Sequence, residues 1–168
     1  MALLSRRMAL GLVCSLALSL VPISPASANI NKQDALNKAL RFVQVERNDL
    51  EELKIQNERE GEIPVYQVEF ATAYGDFDFA YAISDGRLID ADYEIDEEYL
   101  RRLPRHNFDV KRAVSSISSK LHIPARTIEA RREGNRVEAR AYYQHMVYEI
   151  ELDCRSGVIY DFNADRRQ

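Results

Sequence analysis

The feature that most constrains the fold of this 168-residue chain is a self-similarity at an offset of 71 residues. Segment 77–83 alternates apolar residues with polar or small ones, and segment 148–154 does the same. At that offset Gly86 corresponds to Gly157. The further pairs in phase are Tyr66 with Val137, Val68 with Ala139, Ile89 with Tyr160, and Ala91 with Phe162. Because alternation with period two is typical of half-buried strands, the repeat predicts two copies of one small unit.

Each copy begins with a segment of helical periodicity. The apolar positions follow the spacing i, i+3, i+4, i+7, which places them on one face of a helix. They are Leu36, Ala39, Leu40 and Val43 in the first copy, and Val110, Ala113, Val114 and Ile117 in the second. Asn31 or Asp34 is expected to cap the first helix, and Asn107 or Asp109 the second. This alignment has an offset of 74, so the second copy is expected to lack three residues between its helix and its second strand.

The turns between strands complete the predicted unit. Asp85-Gly86 and Ser156-Gly157 each join two alternating strands, and glycine supplies the positive φ that such hairpins need. We therefore expect an α+β fold of two tandem modules, each a helix packed on a small antiparallel sheet. Residues 29–99 would form the first module and residues 100–168 the second. Cys154 corresponds to Ile83 and is expected in the core.

Residues 1–28 have the layout of a cleavable secretory signal peptide. Arg6 and Arg7 form a positive start, residues 8–21 are apolar, and residues 26–28 read Ala-Ser-Ala, a small-residue cleavage site. The apolar run is shorter than the roughly 20 residues that a membrane-spanning helix needs. The sequence therefore predicts a periplasmic or secreted protein with no stable membrane insertion after cleavage.

The closing hairpin of each copy resembles that of the PepSY domain. In residues 148–159 an alternating strand is followed by Ser156-Gly157 and an aliphatic pair, and residues 81–89 are similar, although Ala82 stands where the family often has Asp. PepSY domains occur in propeptides of secreted thermolysin-like metallopeptidases and in stand-alone exported proteins. The resemblance implies a protein partner, with a peptidase as its class, and carries over no catalytic residue.

The sequence contains no recognisable catalytic, cofactor or metal motif. His106, His122 and His145 do not form an H-E-x-x-H pattern, and loss of Cys14 with the signal peptide leaves Cys154 without a cysteine partner. No G-x-S-x-G, Walker or Rossmann pattern is present. We therefore expect a protein that is not an enzyme and that binds neither cofactor nor metal.

Acidic residues form the one candidate site. Asp90, Asp92 and Glu94 alternate with apolar residues and so lie on one face of a strand, and Asp76 and Asp78 should share the solvent side of the neighbouring strand. Such a stripe can bind a cation or a basic partner. Successive carboxylates on one face of a strand lie roughly 7 Å apart, too far for one strand to chelate calcium. A solvated sheet face is the alternative.

Charge is divided unequally along the chain. Residues 29–100 carry 7 basic and 18 acidic residues, a net charge of −11, whereas residues 101–168 carry 14 basic and 9 acidic residues, a net charge of +5. The basic residues that dominate the second half are Arg126, Arg131, Arg132, Arg136 and Arg140. The acidic total argues against nucleic acid as a partner. We expect the asymmetry to dock the two modules on each other or to steer a charged protein partner.

These observations lead to two functional hypotheses. The first is an exported, non-enzymatic protein-binding protein that inhibits or regulates a peptidase in the cell envelope or outside the cell. The second is a periplasmic sensor or accessory module that binds cations or envelope components for a separate signalling protein. A bare strand edge or an apolar groove would favour protein binding, and acidic residues spread over both strands would favour the sensor.

We predict that export removes residues 1–28, because the small residues at positions 26 and 28 fit the signal peptidase. N-terminal sequencing of the exported protein should begin at Asn29. Replacing Ala28 with arginine should leave the precursor uncleaved. Recovery of the unmodified chain with Met1 intact and membrane-bound would contradict the prediction.

Overall fold

The described part of the chain contains three α-helices and eight strands. The structure, a computed structural model, describes residues 29–167, and the predicted signal peptide lies outside the described residues. The helices are α1 Lys32–Val43, α2 Glu97–Arg102 and α3 Val110–Leu121. The strands are β1 Glu52–Glu60, β2 Ile63–Thr72, β3 Gly75–Ala82, β4 Leu88–Ile95, β5 Ile128–Glu133, β6 Arg136–Tyr143, β7 Met146–Asp153 and β8 Ile159–Arg166. No helix among these residues is long and apolar enough to cross a membrane.

Polar side chains fix the beginning of both long helices. Asn31 caps α1 in a reciprocal capping box with Asp34, and Asp109 caps α3 by accepting a hydrogen bond from the backbone N–H of Arg112. Gln44 and His122 end the helices in the left-handed conformation. The two helices thus correspond at an offset of 78, so the predicted offset of 74 is wrong. Its error is one helical turn, a shift that leaves an amphipathic pattern almost unchanged.

The eight strands form one sheet. Their order is β1-β2-β3-β4-β8-β7-β6-β5, and every neighbouring pair is antiparallel. The predicted fold of two tandem modules, each a helix on its own small sheet, is therefore wrong, because β4 pairs with β8 and makes the sheet continuous. A four-stranded sheet that ended at β4 or β8 would leave unpaired backbone groups beside apolar side chains, and joining the two strands removes both edges.

The join between β4 and β8, which we call the seam, is centred on Asp92 and Asn163. These two residues are direct partners, and they also correspond to each other at the offset of 71. The flanking registered pairs are Ala91–Ala164, Tyr93–Phe162 and Glu94–Asp161. A two-fold axis perpendicular to the sheet, midway between Asp92 and Asn163, would generate this order and register.

Helices α1 and α3 cover the same face of the sheet and bury its aromatic side chains. Phe79 and Phe162 are fully buried, one in each half of the chain. The ring of Phe42 on α1 lies 5.6 Å from the ring of Phe79 and 5.2 Å from that of Phe162, measured between centroids. Tyr93 packs against Phe162 across the seam at 5.3 Å. One aromatic core therefore extends through both halves.

The closing hairpin turns take the same form in both halves. The backbone N–H of Gly86 donates to Ala82 and that of Gly157 to Asp153, and both glycines have positive φ, 68° and 77°. The ring of Phe108 lies where a Cβ of residue 157 would be, within 2.3 Å. Glycine is thus required there both by the backbone and by the packing.

The seam generates a prediction about its central pair. Replacing Asn163 with aspartate places a carboxylate directly opposite Asp92 on one side and Glu149 on the other. Like charges in registered positions are destabilising, so the free energy of unfolding at pH 7 should fall by about 0.5–1 kcal/mol. Urea unfolding of the chain that begins at Asn29 measures this loss.

The same change at exposed Asn57 on β1 provides the control for Asn163→Asp and should have a smaller effect. The difference between the two variants should shrink below about pH 4, where carboxylates become protonated. An equal loss for both variants at pH 7 would contradict a central role for the seam pair.

Candidate functional site

The face of the sheet opposite the helices carries the predicted acidic residues. Because side chains alternate along a strand, the residues between the buried aromatics point away from α1 and α3. Cross-strand register places Asp76 opposite Glu94 and Asp78 opposite Asp92. Asp90 lies opposite Ala80 on the same face. The structure thus brings all five predicted residues together on two neighbouring strands.

The seam extends this acidic array into the second half of the chain. Glu94 faces Asp161 across β4 and β8, and Asp165 lies further along β8 on the same side. Glu69 on β2 is the registered partner of Asp78. We define the acidic face as the residues Glu69, Asp76, Asp78, Asp90, Asp92, Glu94, Asp161 and Asp165.

Three carboxyl groups of the acidic face have raised pKa values. Partial burial, with further contributions from Glu60 and Asp165, raises the pKa of Asp90 to about 6. Burial, followed by the charge of Glu69, raises the pKa of Asp78, although the Gln67 amide donates a hydrogen bond to it. Burial and nearby carboxylates likewise raise the pKa of Asp161. Ionised carboxylates therefore crowd one another on this surface.

Basic side chains lie at the two sides of the acidic face rather than within it. On β1, the Lys54 amine lies 3.0 Å from a carboxylate oxygen of Glu69. In the described chain, no lysine or arginine forms an ion pair with the other seven carboxylates of the face. Most of the acidic face is therefore charged and unneutralised.

Three of the arginines that dominate the second half form ion pairs with glutamates of the same half. Arg136 lies 2.9 Å from Glu138 and 3.2 Å from Glu151, and Arg140 pairs with Glu149. Arg131 lies 2.6 Å from Glu138. The seam itself joins side chains of like charge, such as Glu94 and Asp161. Attraction between a negative half and a positive half is thus not what joins the sheet.

The other candidate reactive groups lie apart from the acidic face. Cys154 follows β7 and is buried, and burial raises the pKa of its thiol. Such a thiol is neutral and a poor nucleophile. His122 is the C-cap of α3, His145 lies in the β6–β7 turn, and His106 is exposed ahead of α3. Among residues 29–167, no three His, Cys, Asp or Glu side chains are grouped to hold a metal ion.

Sequence reasoning missed the part of the face contributed by β8. Asp161, Asn163 and Asp165 alternate with buried Phe162 and Ala164, so their common orientation was readable from the sequence. What the pattern could not show is that β8 lies next to β4. The two strands are far apart in the sequence, since α2, α3, β5, β6 and β7 all lie between β4 and β8.

Comparison with known proteins identifies a similar fold. No protein-family model and no curated protein matches the sequence. The Bacillus megaterium YpeB C-terminal domain matches over 80% of this chain with a TM-score of 0.54 and 11% identity, and the chain spans 63% of that domain's length. This likeness shows the fold alone. A Clostridium difficile 630 protein classed provisionally as a lipoprotein matches over 85% of this chain and 97% of its own at 11% identity, but its TM-score of 0.33 supports no argument.

The raised pKa of Asp90 predicts how stability depends on pH. Since its folded pKa is about 6, above the ordinary value, the folded state holds more protons than the unfolded state between roughly pH 4 and 6. Ionisation of Asp90 thus costs stability that is regained as the pH falls through this window. Replacing Asp90 with asparagine should stabilise the protein at pH 7, by about 1 kcal/mol after allowance for solvent screening.

Urea unfolding at pH 7 and pH 4 measures this effect, and the gain from Asp90→Asn should diminish at the lower pH. Glu46→Gln, at an exposed position outside the acidic face, makes the equivalent change as a control and should have little effect at either pH. A loss of stability for Asp90→Asn at pH 7 would show that the carboxylate forms a favourable interaction instead.

Proposed function

We propose that this chain is an exported, non-enzymatic protein-binding protein of the cell envelope, and that its acidic face binds a basic surface of a protein partner. The observation that carries the proposal is the set of seven carboxylates without an ion-pair partner in the described chain, spread across β3, β4 and β8. Registered pairs of like charge, Asp76 with Glu94 and Asp78 with Asp92, lower the stability of the sheet.

A departure from favourable local electrostatics is expected at a functional surface, where a partner compensates for it. Elsewhere on the same side of the sheet, arginine and glutamate neutralise each other, as Arg136 does with Glu138 and Glu151. Acidic residues on two neighbouring strands are the arrangement expected of a cation sensor, but the acidic face also extends onto β8 and is wider than the ligand shell of one cation. A basic protein surface would neutralise a face of this width and would associate faster because of the attraction.

The PepSY resemblance supports this choice of function class. The YpeB domain, whose fold this chain shares, comes from a PepSY-containing protein. Peptidases are the partner class that the resemblance suggests, and the signal-peptide layout supports a place outside the cytoplasm. A non-enzymatic role is supported by the sequence, which lacks any recognisable arrangement of catalytic residues.

The proposal is tested by comparing two triple variants with equal loss of charge. The first variant changes the acidic face: asparagine replaces Asp78 and Asp92, and glutamine replaces Glu94. The second removes the exposed carboxylates of Glu46, Glu62 and Glu98 as Gln. Each immobilised protein, beginning at Asn29, is exposed to an envelope extract of the producing cells, and captured proteins are quantified and assayed for peptidase inhibition.

We expect the wild type and the Glu46/Glu62/Glu98 variant to capture the same basic protein. The acidic-face variant should bind it at least about tenfold more weakly, since three interfacial charges contribute a few tenths to 1 kcal/mol each. Equal capture by both variants would contradict the proposal. Thermal stabilisation by millimolar calcium or magnesium, lost in the acidic-face variant and without any captured protein, would favour the cation sensor instead.

A further inference from the structure

A second surface lies on the other side of the sheet, in a groove between α1 and α3. The groove has a volume of about 880 Å³ and lies above the strands that meet at the seam. Residues between positions 38 and 43 of α1 form part of one wall, and residues between positions 116 and 121 of α3 form part of the other. Its floor includes Tyr81, Tyr93 and Tyr148. Pockets of this size are typical of ligand-binding sites.

The charged side chains that line the groove are all basic. Lys38, Arg41 and Lys120 line it together with His122, and no aspartate or glutamate does. None of these four side chains belongs to an ion pair within residues 29–167. The contrast with Arg131, Arg136 and Arg140, which all have glutamate partners, indicates that the groove cations are unneutralised.

Lys120 is the most enclosed of these cations. Its amine lies 4.9 Å from the centroid of the Phe42 ring, and burial lowers its pKa. The aromatic ring and the nearby carbonyls at the end of α3 stabilise the charge in part. However, the three N–H donors of the amine have no hydrogen-bond acceptor in the described chain. A ligand carboxylate in the groove would supply one.

The floor offers both apolar surface and hydrogen-bond donors. Tyr81 and Tyr148 are largely buried, and each carries a hydroxyl group that can donate a hydrogen bond. Leu88 and Ile159 add aliphatic surface beside these rings. The groove therefore combines an aromatic floor for an apolar side chain with cations above it for acidic ones.

We propose that this groove binds a short acidic peptide segment of a partner protein. Each wall includes a helical segment of six residues, about 9 Å long, enough for roughly three extended residues. The cations come from both helices, so a segment with several carboxylates matches them better than a single inorganic anion does. An apolar residue between acidic ones would place its side chain on the tyrosine floor. This site is independent of the acidic face, which has the opposite charge and lies across the sheet.

The test uses fluorescein-labelled Glu-Leu-Glu-Tyr-Glu with a C-terminal amide, and its isostere Gln-Leu-Gln-Tyr-Gln. Fluorescence anisotropy measures the binding of each to the chain that begins at Asn29. The double variant Arg41→Gln/Lys120→Met removes two groove cations, while the methionine side chain keeps an apolar stem beside Phe42. The control Lys111→Gln/Arg126→Gln removes two exposed cations outside the groove.

We expect the acidic peptide to bind at least about tenfold more tightly than its isostere, and the groove variant to lose that preference. The control variant should keep it, and thermal unfolding should show that both variants fold. The proposal would be overturned if the acidic peptide did not bind, or if the two peptides bound equally. It would also be overturned if both variants lost the preference for the acidic peptide to the same extent. Displacement by millimolar inorganic phosphate would also overturn it, because it would identify a site for small anions. Binding of the acidic peptide does not depend on the acidic face, so this result and the capture experiment can fail separately.

Discussion

The pairing of β4 with β8 is the interaction on which the rest of the structure depends. A domain of roughly 60 to 70 residues, the size of each half of this chain, buries only about 60% of its unfolded surface, so each half alone would be of marginal stability. The seam completes the backbone hydrogen bonding of both inner strands and brings Tyr93 against Phe162. It also places Phe42 from the first half on Phe162 from the second. Backbone pairing and aromatic burial thus combine the two halves into one core.

The seam forms in spite of the charges that it brings together. Glu94 faces Asp161, and the central partner of Asp92 is the neutral Asn163. Repulsion between exposed carboxylates costs a few tenths to 1 kcal/mol per pair, whereas burying one large aromatic side chain contributes about 1.5–3 kcal/mol. Burial at the core therefore exceeds repulsion on the opposite face. An amide at the central position also limits the repulsion where the strands meet.

The local features of the fold could be predicted from the sequence, whereas its long-range pairing could not. Alternation identified the two faces of β3, β4 and β7, and glycine identified the turns at Gly86 and Gly157, because both signals depend on neighbouring residues. The offset between the helices was wrong by one turn, since an amphipathic pattern repeats at that interval. The pairing of β4 and β8 leaves no local signal, because either strand could equally pair with another edge. Net charge misled for a related reason: a sum over each half does not show where the charges lie, and the seam places Glu94 opposite Asp161.

The same alternation that builds the core also separates two surfaces of opposite charge. On β3 and β4, aromatic residues point towards the helices and carboxylates away from them, so the acidic face follows directly from the strand pattern. The groove cations have a different origin, since they belong to α1 and α3, and Arg41 and Lys120 lie in the last turns of these helices, where positive side chains are favoured. The β-sheet lies between them, and its apolar core keeps the two sets of charges from neutralising each other. The two proposed sites, one for a basic surface and one for an acidic segment, therefore lie on opposite faces of one sheet, which the seam makes continuous.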